Sequence, residues 1–147
     1  MNDTSIYKMP SNPAAGLQTP FILVVDDERV IAETLALILS SEGYGAEAAY
    51  GGASALEICR QRLPDLVVTD VVMPGMNGVD LAVAIRRQFP DCNILLFSGQ
   101  AQTPLILQDA KRLGYDFELL AKPVHPEEFL GKVKELTSSH DARKKRA

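Results

Sequence analysis

Long apolar runs are missing from this chain. No stretch approaches the roughly 20 residues needed to cross a bilayer, although apolar side chains make up 46% of its 147 residues. A membrane span is therefore not expected, while enough apolar surface remains for a buried core. Cysteine is scarce, with two in the whole sequence. Cys59 and Cys92 lie far apart, with no CxxC spacing and no histidine cluster beside them. That excludes a disulfide framework or a zinc site and leaves both as small packing thiols. Excess positive charge is also lacking. The formal net charge is −4 and the sequence pI is near 5.1, so nothing overall favours nucleic acid or an anionic membrane as partner. The first residues show no basic start followed by an apolar segment, which excludes a secretory signal. Together these absences point to a cytoplasmic globular protein of one domain.

The sequence divides into three parts. Residues 1–20, with Pro10, Pro13, Pro20 and several small polar residues, read as a loose leader without periodicity. Residues 139–147 read as a basic, solvated tail ending in Arg143-Lys144-Lys145-Arg146. Between them, residues 21–138 alternate between two patterns. Short, continuously apolar runs at Phe21–Val25, Asp65–Asp70 and Asn93–Phe97 have the character of strands buried on both faces. Gly45–Tyr50 and Phe117–Leu120 are weaker strands. Helical spacing follows at Val30–Leu39, Ala53–Arg62, Val79–Phe89, Pro104–Leu113 and Pro126–Leu136, with Gly43, Pro64, Pro90 and Gly114 as stop signals. Five strands alternating with five helices predict a doubly wound (βα)5 fold of the flavodoxin-like kind. Its parallel sheet has helices on both faces and strand order 2-1-3-4-5.

In such a sheet the ligand site lies beyond the carboxyl ends of the strands. Asp26 and Asp27 follow the first strand, Asp70 ends the third, Ser98-Gly99 ends the fourth, and Lys122-Pro123 follows the fifth. These positions are distant in sequence and share one edge of the sheet. Clustered carboxylates raise one another's pKa, and a hard divalent cation relieves that repulsion. Mg²⁺ prefers such oxygen ligands, together with waters and phosphate oxygens. Lys122 adds a mobile cation, Ser98 a hydroxyl, and Gly99 room for a bulky anion. The set suits phosphoryl transfer to an aspartate, in which positioning and charge neutralisation supply most of the catalysis.

These residues resemble the receiver domain of bacterial two-component response regulators over residues 20–138. The matching pieces are Val24-Val25-Asp26-Asp27-Glu28, the run Asp65–Asp70 followed by Met73-Pro74-Gly75-Met76-Asn77-Gly78, Phe97-Ser98-Gly99 and Ala121-Lys122-Pro123. The resemblance implies that Asp70 is the phosphoacceptor. It implies that Asp26, Asp27, Asp70 and the backbone carbonyl of Val72 hold Mg²⁺, directly or through water. Ser98 is then the switch hydroxyl, Lys122 the lysine that pairs with the phosphoryl group, and Lys122-Pro123 a place for a cis peptide. The implied partners are a sensor histidine kinase or phosphotransfer protein, and a protein effector on the face of the fourth helix, fifth strand and fifth helix. A homodimer formed on phosphorylation is compatible with that face; direct nucleic-acid or membrane contact is not expected. The domain would catalyse only its own phosphorylation and dephosphorylation, with no output domain in this chain.

One departure concerns switching. Leu119 stands where the family usually has Tyr or Phe, and the segment Gly114–Ala121 is one residue longer than the usual spacing, so that Phe117 could substitute after a bulge. The alternative function is a phosphorylation-independent pseudo-receiver. An aspartyl phosphatase resembling haloacid dehalogenases would need a second aspartate at Val72 and a cap domain, and has neither. A further departure concerns lifetime: Val72 cannot orient water, whereas Gln100 could. Phosphoryl loss is therefore expected to be slow to moderate. A Val72→Asn variant should lose its phosphoryl group faster than wild type when decay of the labelled protein is followed after removal of the donor; slower loss would refute this account.

Overall fold

The computed structural model describes residues 19–99 and 103–146. The first eighteen residues of the expected leader, and Gln100, lie outside the described residues. The elements in chain order are β1 (Phe21–Val25), α1 (Arg29–Ser41), β2 (Gly45–Ala49), α2 (Gly52–Gln61), β3 (Leu66–Asp70), α3 (Gly78–Gln88), β4 (Asn93–Ser98), α4 (Thr103–Arg112), β5 (Glu118–Ala121) and α5 (Pro126–Arg146). All five strands are parallel, in the order β2-β1-β3-β4-β5. This is the expected fold.

Every residue of β1 and β3 is buried, because the pleat sends alternate side chains into two separate cores. Leu23, Val25, Val67, Val71 and Leu96 pack against α2, α3 and α4. Ile22, Val24, Leu66, Val68, Leu95 and Phe97 pack against α1 and α5. The chain turns one way from β1 to β2 and the other way to β3. The crevice therefore opens above β1 and β3, where the strand order reverses. Gly43 and Gly114 end α1 and α4 at φ values of 96° and 95°, the left-handed position that favours glycine after a helix. Asn77 starts α3 by accepting the Asp80 backbone N–H at 2.8 Å. The backbone carbonyl of His125 accepts the Phe129 N–H, so His125 serves at the start of α5, as a residue of that loop would.

The last helix differs from the expectation. It was expected to end at Leu136, yet it continues to Arg146. No glycine or proline follows Gly131, and basic residues suit a helix C-terminus. Buried Phe129 and Val133 fasten its first half to the sheet. The Asn93 side-chain amide donates to the Leu136 carbonyl at 2.8 Å, which ties α5 to the start of β4.

No helix among the described residues is long and apolar enough to cross a membrane. Cys59 and Cys92 are both buried, and burial pushes the Cys59 thiol up to about 11. At the end of the sheet away from the crevice, Asp65 accepts the Phe21 N–H at 2.7 Å. The Asp65 N–H in turn donates to the Phe21 carbonyl. This exchange fixes the register at the start of β1. Asp65→Ala is expected to lower the unfolding free energy by about 1.5–3 kcal/mol, read as a lower urea midpoint at unchanged slope.

Candidate functional site

The crevice is built by the ends of β1, β3, β4 and β5. Asp26 leaves β1 with its backbone N–H bonded to Ala49 at the end of β2, which points the side chain inward. It is fully buried. One carboxylate oxygen, Oδ1, accepts the Glu28 N–H at 2.9 Å, a local turn typical of aspartate. The other, Oδ2, is buried without a hydrogen-bond partner. Asp27, the next residue, is exposed, and Asp70 is buried at the end of β3. Carboxylate oxygens of Asp26, Asp27 and Asp70 lie within 4.8 Å of one another.

Lys122 enters from the end of β5. Its ammonium lies 3.3 Å from Asp70 Oδ1 and 4.0 Å from Asp26 Oδ2. The same ammonium sits 5.0 Å from the centre of the Phe97 ring, a cation–π distance. The Lys122 N–H donates to the Ser98 carbonyl at 3.1 Å, so β4 and β5 deliver Ser98 and Lys122 together. Ser98 is buried. At Gly99 an added Cβ would lie 3.4 Å from the Lys122 Cβ, at the edge of ordinary contact. The Lys122-Pro123 bond is cis. Asp26, Asp27, Asp70, Ser98 and Lys122, all named from the sequence, thus stand at one crevice. Val72 follows on the loop after β3 and is 49% exposed.

The loop after β3 is held from two sides. The Gly78 N–H at the start of α3 donates to the Val71 carbonyl at 2.7 Å, and the Val71 N–H donates to Phe97. A Cβ at Gly78 would fall 2.0 Å from the Asp70 carbonyl oxygen. No other residue type fits there without moving the Asp70 backbone. Met73 is in the core, and Met76 packs over Gly52, as packing residues. The sequence reading assigned no part to Thr69 or to the Phe97 ring. The only hint was a threonine inside an otherwise apolar strand.

Leu119 is 39% exposed and pairs with Leu96 in regular register. β5 runs from Glu118 to Ala121 without a bulge. Phe117 therefore does not move up to the usual aromatic place. It lies two residues earlier, buried in the α3–α4 core, stacked on Tyr115 at 6.1 Å and beneath the Arg86 guanidinium at 5.3 Å.

A parallel α/β sheet with an acidic crevice and a lysine at its switch point defines a narrow class. The sequence profile of the response regulator receiver domain matches residues 22–134, and the chain belongs to that family. Solved structures agree. The chemotaxis protein CheY4 of Vibrio cholerae is 29% identical with a TM-score of 0.73, the match covering 80% of this chain and 98% of that one. The signal receiver domain of an HD domain-containing protein from Pseudomonas fluorescens is 29% identical with a TM-score of 0.77, covering 85% and 99%. The response regulator TrrA of Thermotoga maritima, solved in complex with Mg²⁺-BeF, is 35% identical with a TM-score of 0.69, covering 80% and 99%.

The donor set fits a hard cation: three clustered carboxylates, one bearing a buried oxygen without a hydrogen bond. Without the cation, Asp26 carries a cost. Burial first, then the charges of Asp70 and Asp27, raise its pKa above the ordinary 3.8, against the Glu28 N–H and Lys122. A raised carboxyl pKa contributes stability fully below the unfolded value and loses it as pH rises through the folded one. Asp26→Asn keeps the Oδ1 acceptor and removes the charge. In calorimetric scans of the metal-free protein at pH 7 it should raise the midpoint, by about 3 °C per kcal/mol relieved. The gain should fade as the pH falls through the raised folded value toward 3.8, and be gone below it.

Proposed function

We propose that this domain takes a phosphoryl group onto Asp70 from a phosphohistidine of a sensor kinase or phosphotransfer protein, with Mg²⁺ bound by Asp26, Asp27, Asp70 and the Val72 carbonyl. The observation that carries this reading is the Lys122 ammonium 3.3 Å from Asp70 Oδ1, beside three converging carboxylates. An Asp70 carboxylate oxygen forms the new P–O bond as the P–N bond to the donor imidazole breaks, and the imidazole leaves with the electron pair. When bound, the cation neutralises the carboxylates and the incoming phosphoryl oxygens. Lys122 pairs with a phosphoryl oxygen, and the Ser98 hydroxyl donates to another. The domain acts as a signalling switch in the cytoplasm and catalyses only its own phosphorylation and dephosphorylation.

A protein donor fits the surroundings of the crevice. An apolar groove lined by Ile31, Leu35, Phe97, Pro123, Val124 and Phe129 shares Lys122 with the site. Val30 and Leu37 on α1 are exposed. For the effector, the face of α4, β5 and α5 offers exposed Leu105 and Leu119 and a hollow between α4 and the Tyr115–Phe117 segment. Phosphorylation would bias an equilibrium at that face and at a homodimer contact. Leu119 is the feature that favours the competing reading, a pseudo-receiver that binds partners without phosphorylation.

The deciding measurement is intact-protein mass after incubation with acetyl phosphate. Wild type with Mg²⁺ should gain one phosphoryl adduct, and Asp70→Asn or removal of Mg²⁺ should abolish it. A folded wild type without an adduct would favour the pseudo-receiver.

A further inference from the structure

Strand β3 holds one buried polar side chain ahead of its terminal aspartate. Leu66, Val67 and Val68 are apolar and fully buried, and so is Val71 beyond it; Thr69 among them is just as inaccessible. A buried hydroxyl is costly unless it is hydrogen-bonded. The Thr69 hydroxyl donates to the backbone carbonyl of Asp70 at 3.0 Å. The α carbon of Gly78 nests against that same carbonyl, since a Cβ there would meet it at 2.0 Å. The following carbonyl, that of Val71, is held by the Gly78 N–H. Two successive peptide groups are thereby fixed immediately before Val72, whose carbonyl stands in the proposed metal set.

We infer that Thr69 is a positioning residue for the phosphoacceptor. Its hydroxyl pins the Asp70 carbonyl against the start of α3, so that the Asp70 carboxylate and the Val72 carbonyl face one cation together. This rests on the proposed role of Asp70 and adds to it a residue that touches neither metal nor phosphate. Threonine and valine have nearly the same shape, so Thr69→Val removes the hydrogen bond and little else. It leaves the buried Asp70 carbonyl without that donor, an effect of order 1 kcal/mol. A purely structural role would appear as lost stability alone.

The test is Mg²⁺ affinity by calorimetric titration on wild type, Thr69→Val and Thr69→Ser, with the rate of acetyl phosphate labelling and the urea midpoint measured alongside. Thr69→Val should weaken Mg²⁺ binding about five-fold and slow labelling. Thr69→Ser, which restores the hydroxyl, should recover both even if its midpoint stays low. Wild-type Mg²⁺ affinity in Thr69→Val, with only the midpoint reduced, would overturn the inference. If wild type binds Mg²⁺ but takes no phosphoryl group, the acceptor reading fails and the ratio of Mg²⁺ affinities still decides the role of Thr69. A wild type that binds no Mg²⁺ overturns both.

Discussion

The attraction between the Lys122 ammonium and the carboxylates of Asp70 and Asp26 is the constraint on which the crevice depends. Three carboxylates within 4.8 Å repel one another, and Asp26 is fully buried. A buried charge persists only when it is paired and hydrogen-bonded. Lys122 and the Glu28 N–H offset part of the cost, and the raised pKa of Asp26 shows that they do not offset all of it. The residual is the driving force for a hard cation, and stored charge of this kind is characteristic of functional sites.

Everything around the crevice serves to hold those charges still. The ends of β1 and β3 sit side by side because the two strands are parallel neighbours at the point where the strand order reverses. Lys122 is tied through its backbone to Ser98 and rests over the Phe97 ring, so the long side chain has few other places to go. The loop after Asp70 is anchored by the approach of α3, which only glycine at position 78 permits. Preorganisation of this kind matters most in phosphoryl transfer, where the protein contributes little covalent chemistry beyond the acceptor.

The two sides of the sheet present different surfaces to partners. The α1 side carries an apolar groove that has Lys122 in its lining. The α4–β5 side carries Leu119 where relatives of this family usually place an aromatic ring. The aromatic pair Tyr115–Phe117 is instead fixed lower down, under arginines of α3. Between Ser98 and that side lies the regular β4–β5 pairing of Ser98 with Ala121 and of Leu96 with Leu119.

Much of this was legible in the amino-acid sequence. Doubly buried strands are continuously apolar, helices repeat every three to four residues, and parallel topology brings strand ends to one edge. From these rules Asp26, Asp27, Asp70, Ser98 and Lys122 could be assigned to one site. The length of α5 was misjudged because polar residues without glycine or proline suit a solvated tail and a helix equally well. Phe117 was misjudged because spacing alone cannot tell a bulged strand from one that starts a residue later. Tertiary structure alone decided what depends on close approach between distant segments: the seat of Gly78 against Asp70, the Lys122 ammonium over Phe97, and the Asp26 oxygen left without a hydrogen bond. Sequence periodicity reports which way a side chain faces. It does not report the distance to a neighbour contributed by another element, and that distance sets the charge balance of the site.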